Sequence, residues 1–262
     1  MNQRLLLAVV GGLLAVFLLL PVLLVVATPD WLDGMSHPTI LPALRLSLWT
    51  SSVALVLVLL LGTPLAWLLA TSTSRGARVL EAAVQLPMVL PPAVAGVALL
   101  LAFGRRGVLA GWLFPESWTP AFSTVAVILA QVFVAAPLYI QGASSAFRQV
   151  PAEVLALSRV FGASPLALLL QVAVPIARPA LLAAAALAWA RALGEFGATL
   201  MFAGNLVGET QTLPLAIYTA LESDWQAARA LAVVLIGVAL LLLLAVKALT
   251  PRSTTSHRSA RP

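Results

Sequence analysis

Cysteine is absent from this 262-residue sequence, and histidine occurs only twice, as His37 and His257. The lack of cysteine excludes disulfides, thiolate metal sites and cysteine nucleophiles. The two histidines lie far apart in the chain, which argues against a histidine-based metal cluster. His37 has only Asp30 and Asp33 near it in sequence, and no serine, histidine and aspartate set indicates a hydrolase. We therefore expect no catalytic residues and no metal site.

Lysine occurs once, at Lys247, between Val246 and Ala248. The phosphate-binding loop of many ATPases needs a lysine directly after a glycine, so this chain cannot carry that loop. Basic residues outnumber acidic ones, 15 to 9, but no patch outside the apolar runs combines basic and aromatic residues. Nucleic-acid binding is therefore not indicated, and we expect the chain itself to bind no cofactor.

Charged residues make up only 9% of the chain, whereas hydrophobic residues make up 61%. Apolar runs of about 20 residues recur, which is the length of a membrane-spanning helix. Transmembrane β-strands are shorter and alternate in polarity, and these runs do neither. The composition predicts an all-α polytopic membrane protein with one transmembrane domain over residues 1–250 and a disordered basic tail over 251–262. The predicted spans are about 5–27, 46–70, 83–103, 121–146, 179–203 and 227–248.

The uncharged run 160–177 is just long enough to cross a bilayer, so seven spans are an alternative to six. The distribution of basic residues favours six spans, because lysine and arginine accumulate in cytoplasmic loops. With six spans and both termini cytoplasmic, the inside set has ten basic residues and the outside set has three. The inside set is Arg4, Arg75, Arg78, Arg148, Arg159, Arg178, Lys247, Arg252, Arg258 and Arg261, and the outside set is Arg45, Arg105 and Arg106.

The third apolar run contains three prolines within six residues, Pro87, Pro91 and Pro92. Each proline removes a backbone donor, and at membrane depth such a break is tolerated only beside protein or a water-filled cavity. Two interpretations stay open. The prolines form either a turn at the membrane interface or a broken helix beside a pathway.

The segment 148–178 is apolar, yet it is bracketed by arginines and interrupted by Gly162, Pro165 and Pro175. We expect it to lie on the cytoplasmic face as two short helices joined at residues 162–164. Ser164 suits the N-cap and Pro165 the first turn of the second helix, while Gly162 permits a sharp turn before it. The segment is either a surface connector without a partner or a docking element for another protein.

The run GASPLALLLQVAVPIARPALL, which begins at Gly162, resembles the "EAA" cytoplasmic loop of importer-type ABC transporter permeases. In that pattern a proline follows the glycine by thirteen residues, as Pro175 follows Gly162. The Glu-Ala-Ala triplet departs from the pattern, because Ala156, Leu157 and Ser158 stand in its place. Glu153 lies about one helical turn earlier. The resemblance assigns contact with the ATPase to Glu153, Ala156, Arg159, Gly162, Ala163, Ser164, Pro165 and Pro175.

Two further stretches are similar to molybdate permeases and, less closely, to sulfate and tungstate permeases. They read RALGEFGATLMFAGN with GETQTLPLAIYTAL, over residues 191–221, and LPMVLPPAVAGVALLLAFGRRG, over residues 86–107. This likeness implies a homodimer in the bacterial inner membrane, with two cytoplasmic ATPase subunits that hold ATP and magnesium. It also implies an extracytoplasmic binding protein that delivers the oxyanion. Two other classes of protein are the alternatives. One is a stand-alone channel or secondary transporter, and the other is a membrane enzyme.

Arg191 and Glu195 are predicted near the centre of the fifth span, four residues apart and so on one helix face. They form either a pair that locks the bundle or a direct contact for the substrate. Gly194 and Gly197 allow close helix approach and are candidate gate positions. Further candidate neutral contacts for an anion are Thr199, Asn205 and Gln211.

Overall fold

The computed structural model describes residues 3–115 and 118–249, so the predicted tail over 251–262 lies outside it. Every regular element in these ranges is a helix, in agreement with the predicted all-α class. In chain order the helices are α1 (Gln3–Ala27), α2 (Trp31–Gly34), α3 (Ile40–Thr71), α4 (Arg75–Val89), α5 (Pro92–Phe103), α6 (Ala110–Leu113), α7 (Thr124–Arg148), α8 (Ala152–Val160), α9 (Pro165–Leu193), α10 (Gly197–Ala203), α11 (Leu213–Ser223) and α12 (Trp225–Leu249).

In the described part of the chain, five helices are long and apolar enough to cross a membrane, namely α1, α3, α7, α9 and α12. Helices α1, α3, α7 and α12 overlap the predicted spans 5–27, 46–70, 121–146 and 227–248, but α3 begins at Ile40, six residues before the predicted limit. The number of candidate spans rises to six if the bent pair α4 and α5 counts as one. The fold is therefore that of a polytopic helical membrane protein.

The predicted span over residues 83–103 is not one continuous helix. Helices α4 and α5 meet at a bend of 116°, with Leu90 and Pro91 between them. Pro91 and Pro92 supply no backbone N–H at the start of α5, where a helix needs none, so the chain ends one helix and begins another. Helix α5 has 12 residues, about 18 Å of helix, which is too short to cross a bilayer of about 30 Å.

The join between α8 and α9 has the geometry that the sequence predicts. Gly162 has a positive φ of 84°, in the region that favours glycine. The Ser164 hydroxyl accepts a hydrogen bond from the Ala167 N–H at 3.2 Å, and Pro165 occupies the first turn of α9. Ser164 is therefore the N-cap of the helix.

The prediction of a short second helix before Pro175, and of a separate span over 179–203, is wrong. Helix α9 runs without a break from Pro165 to Leu193, and both Pro175 and Pro179 lie inside it. A π-helical segment, Leu168–Ala173, precedes Pro175. There the Val174 N–H bonds to the Leu169 carbonyl, five residues back. This wider turn changes the hydrogen-bond register just where the proline ring would otherwise meet the preceding turn.

The described chain divides into two compact units, of which the larger comprises residues 48–204 and 239–249. Its main core is built from α3, α7 and α9 and is rich in alanine. Two polar contacts also join these helices. The Tyr139 hydroxyl lies 2.7 Å from the Thr63 hydroxyl, and the Trp189 ring N–H donates to the Ser51 hydroxyl at 3.0 Å.

A second core in the same unit joins α5, α7 and α10, and we call it the α5–α7–α10 cluster. It consists of Ala95, Leu99, Ala121, Ala126, Val127, Ala130, Val134, Ala198, Phe202 and Ala203. Glycines let the helices approach closely here. A Cβ atom at Gly96 would overlap Met201 Cβ, and one at Gly197 would overlap Pro92 Cβ.

The smaller unit comprises residues 3–47 and 205–238. Its core joins the start of α3 to α11 and α12. Arg229, with 11% of its side chain exposed, forms an ion pair with Asp30 at 2.9 Å. The same guanidinium donates to the Thr28 carbonyl at 3.0 Å, so it ties α12 to the chain that follows α1.

We expect Gly96→Ala to destabilise the protein, because the added methyl group must push α5 away from α10. Overpacking of this kind costs about 1–3 kcal/mol. The measurement is the thermal unfolding midpoint of the purified chain in detergent. Gly237→Ala is the control, since nothing lies within 4 Å of a Cβ at that helical glycine. Equal midpoints for the two variants would contradict the close packing of α5 on α10.

Candidate functional site

Arg191 lies in the last turn of α9. The unpaired carbonyl groups at a helix C-terminus carry partial negative charge, which favours a cation at this position. The helix stops at Gly194, whose N–H bonds to the Ala190 carbonyl at 3.1 Å, and α10 begins at Gly197. The predicted charged pair is thus located at a break between two helices, rather than within one continuous span.

Glu195 holds this break together. Its carboxylate is 2.7 Å from Arg191 Nη1, and the side chain of Glu195 is only 1% exposed, against 37% for Arg191. The second carboxylate oxygen accepts a hydrogen bond from the Ala198 N–H at 2.8 Å. A negative charge near a helix N-terminus is favourable, so Glu195 connects the end of α9 to the start of α10. The structure thus brings together the two residues that the sequence pairs.

Arg191 also lines a cavity of about 300 Å³. The other lining residues are Pro87, Met88, Leu90, Pro92, Ala95, Val134 and Leu138. We call this space the Arg191 cavity. Its wall includes the proline break between α4 and α5, so the helix break lies beside a cavity. The wall is mostly apolar with one cationic group, a combination typical of small-molecule sites.

The remaining pathway candidates occupy different environments. Gly197 packs on Pro92, beside the Arg191 cavity. The Thr199 side chain is fully buried, and its hydroxyl has no hydrogen-bond partner among the described residues. Asn205 and Gln211 belong to the smaller unit. There both amides reach the Thr219 hydroxyl, at 2.8 Å and 3.4 Å.

The residues that resemble the "EAA" loop lie along α8, the turn after it and the first turns of α9. Glu153 is in the first turn of α8 and Arg159 in the last, as the helix dipole favours. Most of these residues are exposed, whereas Ala163 is half-buried. Residues 152–164, which comprise α8 and the turn after it and which we call the α8 segment, expose large apolar side chains, with 58% exposure at Leu157 and 82% at both Val160 and Phe161.

Two interacting groups of the larger unit are not among the residues predicted from the sequence. Arg148, at the end of α7, bonds Glu81 of α4 at 2.9 Å and so ties α4, the helix before the proline break, to the end of α7. No spacing rule could reveal a pair 67 residues apart. Gln131 is fully buried in α7, and as a lone amide in a long apolar run it could have been singled out from the sequence.

Comparison with known proteins identifies the family. The family model for "Binding-protein-dependent transport system inner membrane component" matches residues 62–255, about three-quarters of the chain. The chain belongs to this family. It is a multi-pass inner-membrane component of a transport system, and not an enzyme.

Curated relatives from two bacterial genera cover most of the chain. The "Molybdenum transport system permease protein ModB" of Mycobacterium bovis is 41% identical over 245 residues, 92% of this chain and 93% of that protein. The "Probable transport system permease protein NifC" of Clostridium pasteurianum is 41% identical over 203 residues, 77% of this chain and 71% of that protein.

A solved structure has the same fold as this chain. It is the crystal structure of a "bacterial alginate ABC transporter in complex with alginate pentasaccharide-bound periplasmic protein", with a TM-score of 0.73 and 14% sequence identity. The match covers 97% of this chain and 96% of that one. The chain therefore shares its fold with a chain of that ABC transporter.

For this family member we expect Glu195→Ala to cost about 3 kcal/mol of unfolding free energy. The change leaves Arg191 without its carboxylate, and breaking a buried pair costs about 3–5 kcal/mol, toward the low end here because Arg191 is partly exposed. Glu195→Gln keeps an oxygen for the Ala198 N–H and serves as the control, with a smaller loss.

The measurement is a double-mutant cycle on purified protein with Arg191→Leu and Glu195→Ala. The double variant should lose less stability than the two single variants added together. Additive losses would show that the two side chains are energetically independent.

Proposed function

We propose that this chain is the membrane permease subunit of an ABC importer that carries molybdate across the inner membrane. The observation that carries this proposal is the Arg191 guanidinium on the wall of an otherwise apolar cavity, between α9 and the proline break. The choice of molybdate is supported by the molybdenum permease that is 41% identical to the chain over 92% of its length. Sulfate or thiosulfate and tungstate are the alternatives within the family.

The geometry of Arg191 suits transient binding of a dianion. Moving even one charge into a medium of low dielectric costs about 20 kcal/mol in the idealised limit, so an oxyanion needs a polar path. A strong central site would trap the ion. Glu195 neutralises Arg191 through Nη1, and a guanidinium carries five N–H donors. The group can therefore contact an anion in the cavity while its net attraction stays weak.

The α8 segment supports docking to a separate ATPase. Its exposed Leu157, Val160 and Phe161 present more apolar surface than a connector needs, and such patches mark interaction sites. In this proposal the segment lies on the cytoplasmic side, as do both termini. Two chains form the pathway, two ATPase subunits that hold ATP and magnesium receive the α8 segments, and an extracytoplasmic binding protein delivers the oxyanion.

Helix α9 supplies the mechanical connection between the docking segment and the cavity. It is one helix of 29 residues from Pro165 to Leu193, about 43 Å long at the usual rise. Its first turn follows the α8 segment directly, and its last turn carries Arg191. A displacement of the α8 segment by the ATPase would therefore reach the Arg191 cavity along a single continuous helix.

The test of the proposal is uptake by proteoliposomes that contain the chain, its ATPase and its binding protein. Molybdate, tungstate and sulfate are compared at equal concentration, with and without ATP inside. ATP-dependent uptake of molybdate supports the proposal, and preference for sulfate or tungstate would replace only the substrate. Uptake by the chain alone, without the ATPase, would instead establish a channel or secondary transporter.

We expect Gly162→Val to weaken the association with the ATPase. At its φ of 84° a β-branched residue is strained by roughly 1–2 kcal/mol, which distorts the turn between α8 and α9. The measurements are co-purification of the ATPase and ATP-dependent uptake.

Gly208→Val is the matched control for Gly162→Val. Gly208 has a φ of 83°, and both glycines have nothing within 4 Å of a Cβ position. The control carries the same strain in the smaller unit, so it should retain the ATPase. If both variants co-purify with the ATPase equally well, the α8 segment is not the docking element.

We expect the double variant Arg191→Gln with Glu195→Gln to assemble normally but to import molybdate about tenfold more slowly, the equivalent of about 1.4 kcal/mol. Removing both charges leaves no unpaired buried charge, so the fold should persist. Arg191→Lys with Glu195 intact is the comparison, because it retains the cation. Uptake at the wild-type rate in the double variant would limit the pair to a structural role.

A further inference from the structure

Gln131 is a buried amide without a protein partner. Its side chain is fully buried in α7, and neither its amide nitrogen nor its amide oxygen has a hydrogen-bond partner among the described residues. A buried polar group in this state is unfavourable, and most such groups in proteins are paired. A position that would be more stable with an apolar residue therefore calls for a functional explanation.

Gln131 is next to the Arg191 cavity along α7. Val134 and Leu138 line that cavity, and they follow Gln131 by three and seven residues, on the same face of the helix. Three residues of helix correspond to a rise of about 4.5 Å. Gln131 is therefore positioned one turn beyond the cavity wall.

The α5–α7–α10 cluster includes the residues of α7 that precede and follow Gln131. Two of its members, Ala95 and Val134, also line the Arg191 cavity, so the cluster is directly adjacent to the cavity. Gln131 lies within the stretch of α7 that contributes Val127, Ala130 and Val134 to the cluster. The cluster is thus the layer that an anion would have to enter on leaving the cavity along α7.

Thr199 provides a second unpartnered group in the same layer. It is fully buried in α10, its hydroxyl has no partner in the described chain, and it directly follows Ala198 of the cluster. Phe202 and Ala203, three and four residues later, share its helix face and belong to the cluster as well. Two helices that pack against each other therefore each bring an unused polar side chain to one apolar core.

We propose that Gln131 and Thr199 form a second, uncharged binding station for the transported oxyanion, adjacent to the Arg191 cavity and closed in this conformation. The inference rests on the proposed function, because it takes the Arg191 cavity as part of the oxyanion path. The amide supplies two N–H donors and the hydroxyl one O–H donor. When α5 and α10 separate from α7, these donors face the opening that forms between the helices.

An uncharged station has a physical advantage for transport. Neutral donors can replace part of the hydration of a dianion without the strong attraction of a second cation, so the ion can leave again. In the closed state the same donors are unpaired, which makes the closed packing less favourable than an apolar core would be. The two polar groups therefore favour opening as well as binding.

The experiment compares uptake with stability in the assembled transporter. Gln131→Met removes the amide nitrogen and oxygen and keeps a side chain of similar size. Thr199→Val removes the hydroxyl and keeps a side chain of similar shape. Each should slow ATP-dependent molybdate uptake by about tenfold, the effect of one lost hydrogen bond to an ion. Each should leave the thermal unfolding midpoint of the complex unchanged or raise it, because an unpaired buried group is lost.

Two controls accompany these variants. Thr199→Ser keeps the hydroxyl and should restore uptake. Gln141→Leu removes an exposed glutamine from the same helix and should leave uptake unchanged.

The outcomes separate the inference from the function on which it rests. Slow uptake with unchanged or raised stability supports the uncharged station. Normal uptake in Gln131→Met and Thr199→Val overturns it while leaving the proposed function intact. If stability and uptake both fall, the inference is also overturned, because Gln131 and Thr199 would then have structural partners. If the wild-type complex imports none of molybdate, tungstate or sulfate, the proposed function itself fails.

Discussion

The ion pair between Arg191 and Glu195 is the contact on which the described site depends. A carboxylate that is 1% exposed must be paired, and Glu195 is paired twice, with Arg191 and with the N–H of Ala198. The first contact involves the last turn of α9 and the second the start of α10. The same guanidinium borders the Arg191 cavity. One buried charge therefore determines where a long helix ends, how the next begins and which cation faces the cavity.

Prolines have opposite consequences in two parts of this chain. Pro91 and Pro92 separate α4 from α5 at a bend of 116°, whereas Pro175 and Pro179 lie inside a continuous α9. Pro91 and Pro92 occupy the N-cap and the first position of α5, whereas Pro175 follows a π-helical segment. Ahead of Pro175, a π-helical segment widens the turn, so the helix continues past the ring. A break forms where the proline instead begins a new helix, because the first turn needs no N–H donor.

Several elements followed from local patterns. The ends of α1, α7 and α12 lie close to the predicted limits, because a run of apolar residues of sufficient length has few alternatives to a membrane helix. Ser164 and Pro165 start a helix where the N-cap rule places one. The i,i+4 pair at Arg191 is present, although the helix ends between its two members. These features depend on residues within one or two turns of each other.

Other features depend on residues distant in the chain. The ion pair of Glu81 with Arg148, and that of Arg229 with Asp30, join positions 67 and 199 residues apart. The continuity of α9 depends on a change of hydrogen-bond register that the sequence pattern does not reveal.

The sequence by itself determined the helical membrane class, the limits of α1, α7 and α12 and the identity of the charged pair, because hydropathy, capping and i,i+4 spacing act locally. Only the tertiary structure decided that the proline break faces Arg191 across a cavity and that Gln131 and Thr199 are buried without partners. Those facts arise from the packing of α5, α7 and α10, which bring together residues that no local rule connects.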